Sequence, residues 1–167
     1  MCNKRSLFVP AALVSFGLLG TSVAKADGDT HCYTLANLKG TYAVVATYSA
    51  NVALAIATRH FDGEGNLTGT FTVNAPVVGS TTGARTIITG TQVGTYSVNC
   101  NGTGIFTRTL TSSTGVVTTQ TDDFIITRAI ERDGQLFAMA LEDAQRTPSA
   151  LVPGGLFVFR SYTRRPD

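Results

Sequence analysis

The side chains best placed for chemistry in this chain are arginines set among apolar neighbours on strand-like stretches. Arg108 keeps phase with Phe106 and Leu110, and Arg160 shares a face with Leu156, Val158 and Tyr162, because alternate residues of a strand point the same way. If those faces turn into a barrel, each guanidinium needs a buried acid or a ligand's anionic group, since an unpaired internal charge is costly. If they turn outward, or sit near a rim, the same residues make only solvated contacts or a structural ion pair. The sequence leaves both arrangements open. With Tyr42, Tyr48 and Tyr162, the two arginines form the set expected to line a small-molecule site.

Other reactive groupings carry less. Asp122-Asp123 and Glu142-Asp143 are adjacent carboxylates, and neighbours on a strand face opposite ways, so neither pair can share one proton. Each pair reads as one solvated and one strand-end acid, although a barrel interior could combine acids from different strands. Arg59-His60 closes a strand next to a hairpin. His60 and His31 are the two imidazoles, no Gly-x-Ser-x-Gly occurs, and triad-type hydrolysis therefore has little support; no catalytic residue is assigned. Asp62-Gly63-Glu64-Gly65-Asn66 resembles a calcium loop only on the surface. The sixth and twelfth positions of an EF-hand would fall on Leu67 and Val73 instead of Gly and Glu, so a plain hairpin is expected. No metal site and no cofactor follow from these patterns.

The elements that must position these residues are strands. Thr, Val, Ile, Phe and Tyr dominate, broken at short intervals by Gly, Asn, Asp and Ser. Eight strands are predicted, near Lys39–Tyr48, Val52–Phe61, Leu67–Ala75, Arg85–Val98, Thr103–Leu110, Val116–Arg128, Gln135–Glu142 and Leu156–Tyr162. Short turns such as Asp62–Asn66, Asn99–Gly102, Ser112–Gly115 and Arg132–Gly134 favour antiparallel pairing of sequence neighbours. Closing such a meander removes its two bare edges, so the expected fold is all-β, an eight-stranded antiparallel up-and-down barrel with short hairpin turns. Two longer links, Pro76–Ala84 and Asp143–Gly155, are the expected rims or lids of its mouth. Small residues on one face of Val52–Ala57 either leave room for a ligand or permit close packing.

Residues 1–26 read as a cleaved export signal: Lys4 and Arg5, an apolar run from Leu7 to Gly20, then Ala24-Lys25-Ala26. The run is too short to cross a bilayer as a helix, for which about 20 residues are needed, so no membrane span is expected after cleavage. Residues 27–167 then form a single barrel domain, periplasmic or secreted. Loss of Lys4, Arg5 and Lys25 turns the formal charge from +2 to −1, which removes any electrostatic argument for nucleic acid. Cys2 departs with the signal. Cys32 and Cys100 remain, and in an oxidising compartment they read most simply as one disulfide, closing a long loop with a stabilisation of roughly 4 kcal/mol. Oligomeric state is not fixed by any of this.

Three strings, Leu38-Lys39-Gly40-Thr41-Tyr42, Phe61-Asp62-Gly63-Glu64-Gly65-Asn66-Leu67-Thr68-Gly69 and Gly94-Thr95-Tyr96-Ser97-Val98-Asn99-Cys100-Asn101-Gly102-Thr103-Gly104, resemble as a set a group of small secreted bacterial proteins described as allene oxide cyclase-like barrels. Gly40-Thr41-Tyr42 is also similar to the Gly-x-Trp start of lipocalins. The resemblance spans nearly all of residues 27–167, but its motifs are turns and strand starts. It implies a barrel and, more remotely, an isomerase or cyclase. The leading expectation is an exported soluble barrel that binds a small apolar molecule in its mouth, with an internal cavity of at least a few hundred Å³. A structural or interaction module of the envelope would instead show a filled barrel and an exposed apolar patch.

Overall fold

A computed structural model describes residues 32–49, 52–152, 154 and 156–166. The expected signal at 1–26, the start of the barrel domain at 27–31 and His31 lie outside the described residues. A 3₁₀ turn, Leu35–Leu38, precedes eight strands: β1 (Gly40–Tyr48), β2 (Ala53–Phe61), β3 (Asn66–Pro76), β4 (Arg85–Val98), β5 (Thr103–Ser112), β6 (Val117–Arg132), β7 (Gln135–Gln145) and β8 (Val158–Arg164). Each pairs antiparallel with the next, and β8 pairs with β1, so the sheet closes into an up-and-down barrel. The eight strands fall where the alternation predicts them. The sixth runs on past Arg128 because the register shifts between Ile126 and Ala129, a bulge that breaks the period-two pattern without ending the strand.

The interior is layered. At the end where the β2–β3, β4–β5 and β6–β7 hairpins turn, Leu38, Tyr42, Phe61, Phe106, Phe124 and their neighbours make an aromatic floor. Phe106 stacks on Phe124 with centroids 4.2 Å apart and a 10° tilt, and Phe61 meets Tyr42 and Tyr96 edge-on. The 3₁₀ turn closes this end. Asn37 Nδ2 donates to the Leu136 carbonyl at 2.7 Å, and Tyr96 Oη donates to that of Leu35 at 3.1 Å. The Cys32–Cys100 disulfide, reinforced by Tyr33 N–H to Cys100 O at 3.0 Å, ties the chain before β1 to the β4–β5 turn. At the opposite end, small and aliphatic side chains fill the barrel: Ala46, Ala53, Ala55, Val73, Ala75 and Leu110 among them.

Local chemistry explains the turns. Asp133 and Gly134 both have positive φ, 51° and 73°, in the two-residue β6–β7 hairpin, the backbone that an Asp-Gly pair adopts at least cost. At the β2–β3 turn, Asp62 Oδ1 accepts from the Glu64 and Asn66 amides at 2.7 and 3.0 Å, and Oδ2 accepts from Asn66 Nδ2 at 2.6 Å. These bonds, that from Asn66 Nδ2 foremost, lower the carboxyl to about 2.

Inward glycines make room for large neighbours. A Cβ on Gly104 would come within 2.3 Å of the Phe124 ring and 2.1 Å of the Ser97 carbonyl, and one on Gly90 within 2.4 Å of the Phe71 ring. Gly104→Ala should therefore cost at least about 1–3 kcal/mol by displacing the Phe106–Phe124 stack. Urea denaturation monitored by near-ultraviolet circular dichroism checks this, and an unchanged midpoint would contradict it.

Candidate functional site

Between the aromatic floor and the aliphatic upper chamber lies a charged layer. Arg59 from β2, Arg108 from β5 and Arg160 from β8 reach inward, with Asp122 from β6 and Asp143 from β7, and all five are at most 6 % exposed. Gly69 stands across the ladder from Arg59 and Gly94 across from Arg108, so no opposing side chain competes with the two long arms. Arg108 Nε donates to Asp122 Oδ2 at 2.8 Å. Arg160 Nη1 bridges both acids, at 2.9 Å to Asp122 Oδ1 and 2.7 Å to Asp143 Oδ1. Tyr162 Oη donates to Asp143 Oδ2 and accepts from Arg59 Nη1, whose guanidinium lies 4.9 Å from the Tyr162 ring centroid. Gln92 Oε1 accepts from Arg59 Nη2 at 3.0 Å and Arg108 Nη1 at 3.1 Å, and Gln120 Oε1 accepts from Arg108 Nη2 at 3.3 Å.

The protonation states follow from this packing. Burial, with Arg160 and Arg59 nearby, lowers the Arg108 guanidinium to about 10 against the pull of Asp122. Burial would lower Arg160 as well, but Asp143 and Asp122 together outweigh it and hold it above the ordinary value. Asp122 is the converse case: burial raises its carboxyl, and Arg160, Arg108 and Arg59 more than reverse this, so it stays ionised below the usual carboxylate range. Burial raises the Tyr162 and Tyr48 phenols, so both stay protonated at neutral pH.

Above this layer is a cavity of about 20 Å³, lined by Ala55, Ala57, Arg59, Gln92, Arg108 and Arg160, with Tyr48 and Leu151 on its upper side. It has room for one water. Among the described residues the interior lacks the expected cavity of a few hundred Å³, because Leu151 and Val152, from the link between β7 and β8, lie in the mouth. Leu151 and Val152 are 6 % and 0 % exposed and pack among Tyr48, Ala53, Val73 and Val158. Ser149 anchors this plug: its N–H donates to the Leu156 carbonyl at 2.7 Å and its Oγ accepts from Leu151 N–H at 3.2 Å. A surface hollow of about 500 Å³ lies at the other end beside Arg132, Phe137, Met139 and Arg164. None of the deep charges reaches it, and its Arg164 lies over the Tyr42 and Phe137 rings, 5.8 and 5.4 Å from their centroids.

Of the residues expected to line a site, Tyr48, Arg108 and Arg160 meet at the cavity, and Tyr162 sits beneath it in the charged layer. Tyr42 does not join them: it belongs to the floor, where its hydroxyl donates to the Ala138 carbonyl at 2.7 Å. The carboxylate reading needs correction. Asp122 and Asp143 are neither solvated nor at strand ends, because β6 and β7 continue to either side of them and their phase puts them inside. Asp123 faces outward and takes Arg146 Nη2 at 2.6 Å. Arg59, read as a strand end, is a member of the charged layer, whereas the adjacent His60 is exposed beside Thr41 Oγ1 at 3.2 Å. The outer face of β2, β1 and β8 carries Ile56 (64 % exposed), Val45 (59 %), Leu54 and Phe159 with no charged side chain among them.

Fold and site together define a class: a closed up-and-down β-barrel with an ionised layer across its interior. No protein-family model, curated protein or solved structure matches the chain. Among the described residues no helix is long and apolar enough to cross a membrane.

Removing one partner of this layer leaves an uncompensated buried charge, so Asp122→Asn should cost about 3–5 kcal/mol in urea at pH 7. Because Asp122 is lowered in the fold, its contribution is complete above the unfolded carboxyl value of about 3.9 and is lost as the pH falls below it. Urea midpoints measured from pH 6 to pH 2.5 should fall more steeply for the native chain than for the variant; parallel curves would contradict this.

Proposed function

We propose that this is an exported barrel that binds a small, largely apolar molecule in its mouth, in exchange for the Leu151–Val152 plug. The observation that carries the reading is the plug itself. A segment without regular structure places two apolar side chains over a floor of fixed hydrogen-bond donors, which is the composition of a small-molecule site: apolar walls with a few convergent polar groups. The alanines of β2 keep the wall thin at that level. The disulfide supports an oxidising compartment, in keeping with export. Kinship with allene oxide cyclase-like barrels belongs to the same proposal and rests on the turn and strand-start strings.

Exchange of the plug for a ligand has a direct consequence. Leu151→Ala with Val152→Ala weakens the closed form, by about 2–5 kcal/mol for the leucine alone, and opens the mouth. The double variant should therefore bind the neutral dye N-phenyl-1-naphthylamine several-fold more tightly than the native chain, read as blue-shifted fluorescence. Equal dye binding by both chains would overturn the reading. So would enhanced binding that vanishes with Ile56→Lys, which would place the dye on the outer face.

A further inference from the structure

We propose that the ligand's head group is a carboxylate-type monoanion that seats between Arg59, Gln92 and Arg108, with a short apolar body directed toward the mouth. This rests on the reading of the mouth as a binding site and adds the chemical class of what enters it.

Three independent observations meet at one place. The first is charge. Arg59, Arg108 and Arg160 face only Asp122 and Asp143 among the deeply buried ionisable side chains described, so the interior holds one positive charge in excess. Each guanidinium has a carboxylate within 4 Å, Arg59 through Asp143 at 3.6 Å, but three cations share two anions, and the two nearest phenols, Tyr48 and Tyr162, stay protonated and supply no further negative charge.

The second observation is the balance of donors and acceptors. Gln92 Oε1 is taken by Arg59 Nη2 and Arg108 Nη1, which fixes the amide orientation and leaves its Nε2 without a partner. Arg59 Nε is likewise buried and without a partner. Both free groups are donors, so what completes them must be an acceptor. The third is location. Arg59, Gln92 and Arg108 all line the same cavity beneath Leu151. A water there would satisfy donors but leave the charge uncancelled; a carboxylate does both, through charge-assisted hydrogen bonds. The unpartnered amide of Gln145 does not line this cavity and offers both a donor and an acceptor, so it sets no such requirement.

The test uses the disulfide-bonded chain with three probes: 4-methylpentanoate, whose branched body matches the Leu151 side chain, the isosteric neutral 4-methylpentanamide, and acetate. Binding is followed by ¹H–¹⁵N chemical shifts. The acid should bind about tenfold or more tightly than the amide and shift the amide signals of Arg59, Gln92 and Leu151. Arg59→Met removes the excess charge and should bring acid and amide toward equal affinity; if that variant does not fold, the acid–amide comparison on the native chain decides alone. Equal binding of acid and amide at those residues overturns the anionic head group and leaves the mouth as a binding site. Acetate binding as tightly as 4-methylpentanoate assigns the subsite to a free small anion and overturns the apolar body. No binding by any probe overturns this proposal, while dye uptake by the plug variant still reports separately on the mouth.

Discussion

The pairing of three guanidinium groups with two carboxylates in the middle of the barrel is the constraint that the remaining interior obeys. Arg160 bridges Asp122 and Asp143, and Arg108 and Arg59 complete the layer through Asp122, Gln92 and Tyr162. These side chains come from β2, β4, β5, β6, β7 and β8, so the layer links most of the circumference. Such a network is a poor source of net stability, because desolvating each ion offsets much of the Coulombic gain. It is a strong source of specificity. A one-residue slip of any contributing strand would turn its charge to the outside and strand its partner in the interior.

The layer also divides the interior into two regions with different roles. Below it the aromatic floor, the 3₁₀ turn and the disulfide make a closed end. Above it small and aliphatic strand side chains, with Tyr48 and Phe71, form the walls, and Leu151 and Val152 from a link pack among them. A strand residue is fixed by its ladder, whereas a link is held by fewer bonds, here those of Ser149. The two ends thus differ in what holds their contents in place, and the excess positive charge lies at the boundary between them.

Much of the fold was legible in the sequence because strand alternation and turn chemistry are local. The eight strands, their order and the Cys32–Cys100 pairing follow from residue types and spacing. The site was legible in part. Arg108 and Arg160 were visible through their phase with Phe106, Leu110, Val158 and Tyr162, but which face turned inward was not, since the outer faces also carry apolar residues such as Val45, Ile56 and Phe159. The same phase signal existed for the three charged residues missed: Asp122 alternates with Phe124 and Ile126, Asp143 with Leu141, and Arg59 with Phe61. Reading adjacent acids as pairs hid it, because on a strand the informative neighbour is two residues away. The link that carries the plug was legible as a rim or lid of the mouth, but the entry of Leu151 and Val152 into the barrel was not, because no periodicity marks a link that folds into its own barrel.

One excess positive charge lies beneath the Leu151–Val152 plug, and a high-resolution crystal structure of the chain grown with 4-methylpentanoate tests its role most directly. Carboxylate oxygens should lie within hydrogen-bonding distance of Arg59 Nε and Gln92 Nε2, with Leu151 displaced from the mouth. Leu151 in place over a cavity that holds only water would contradict this.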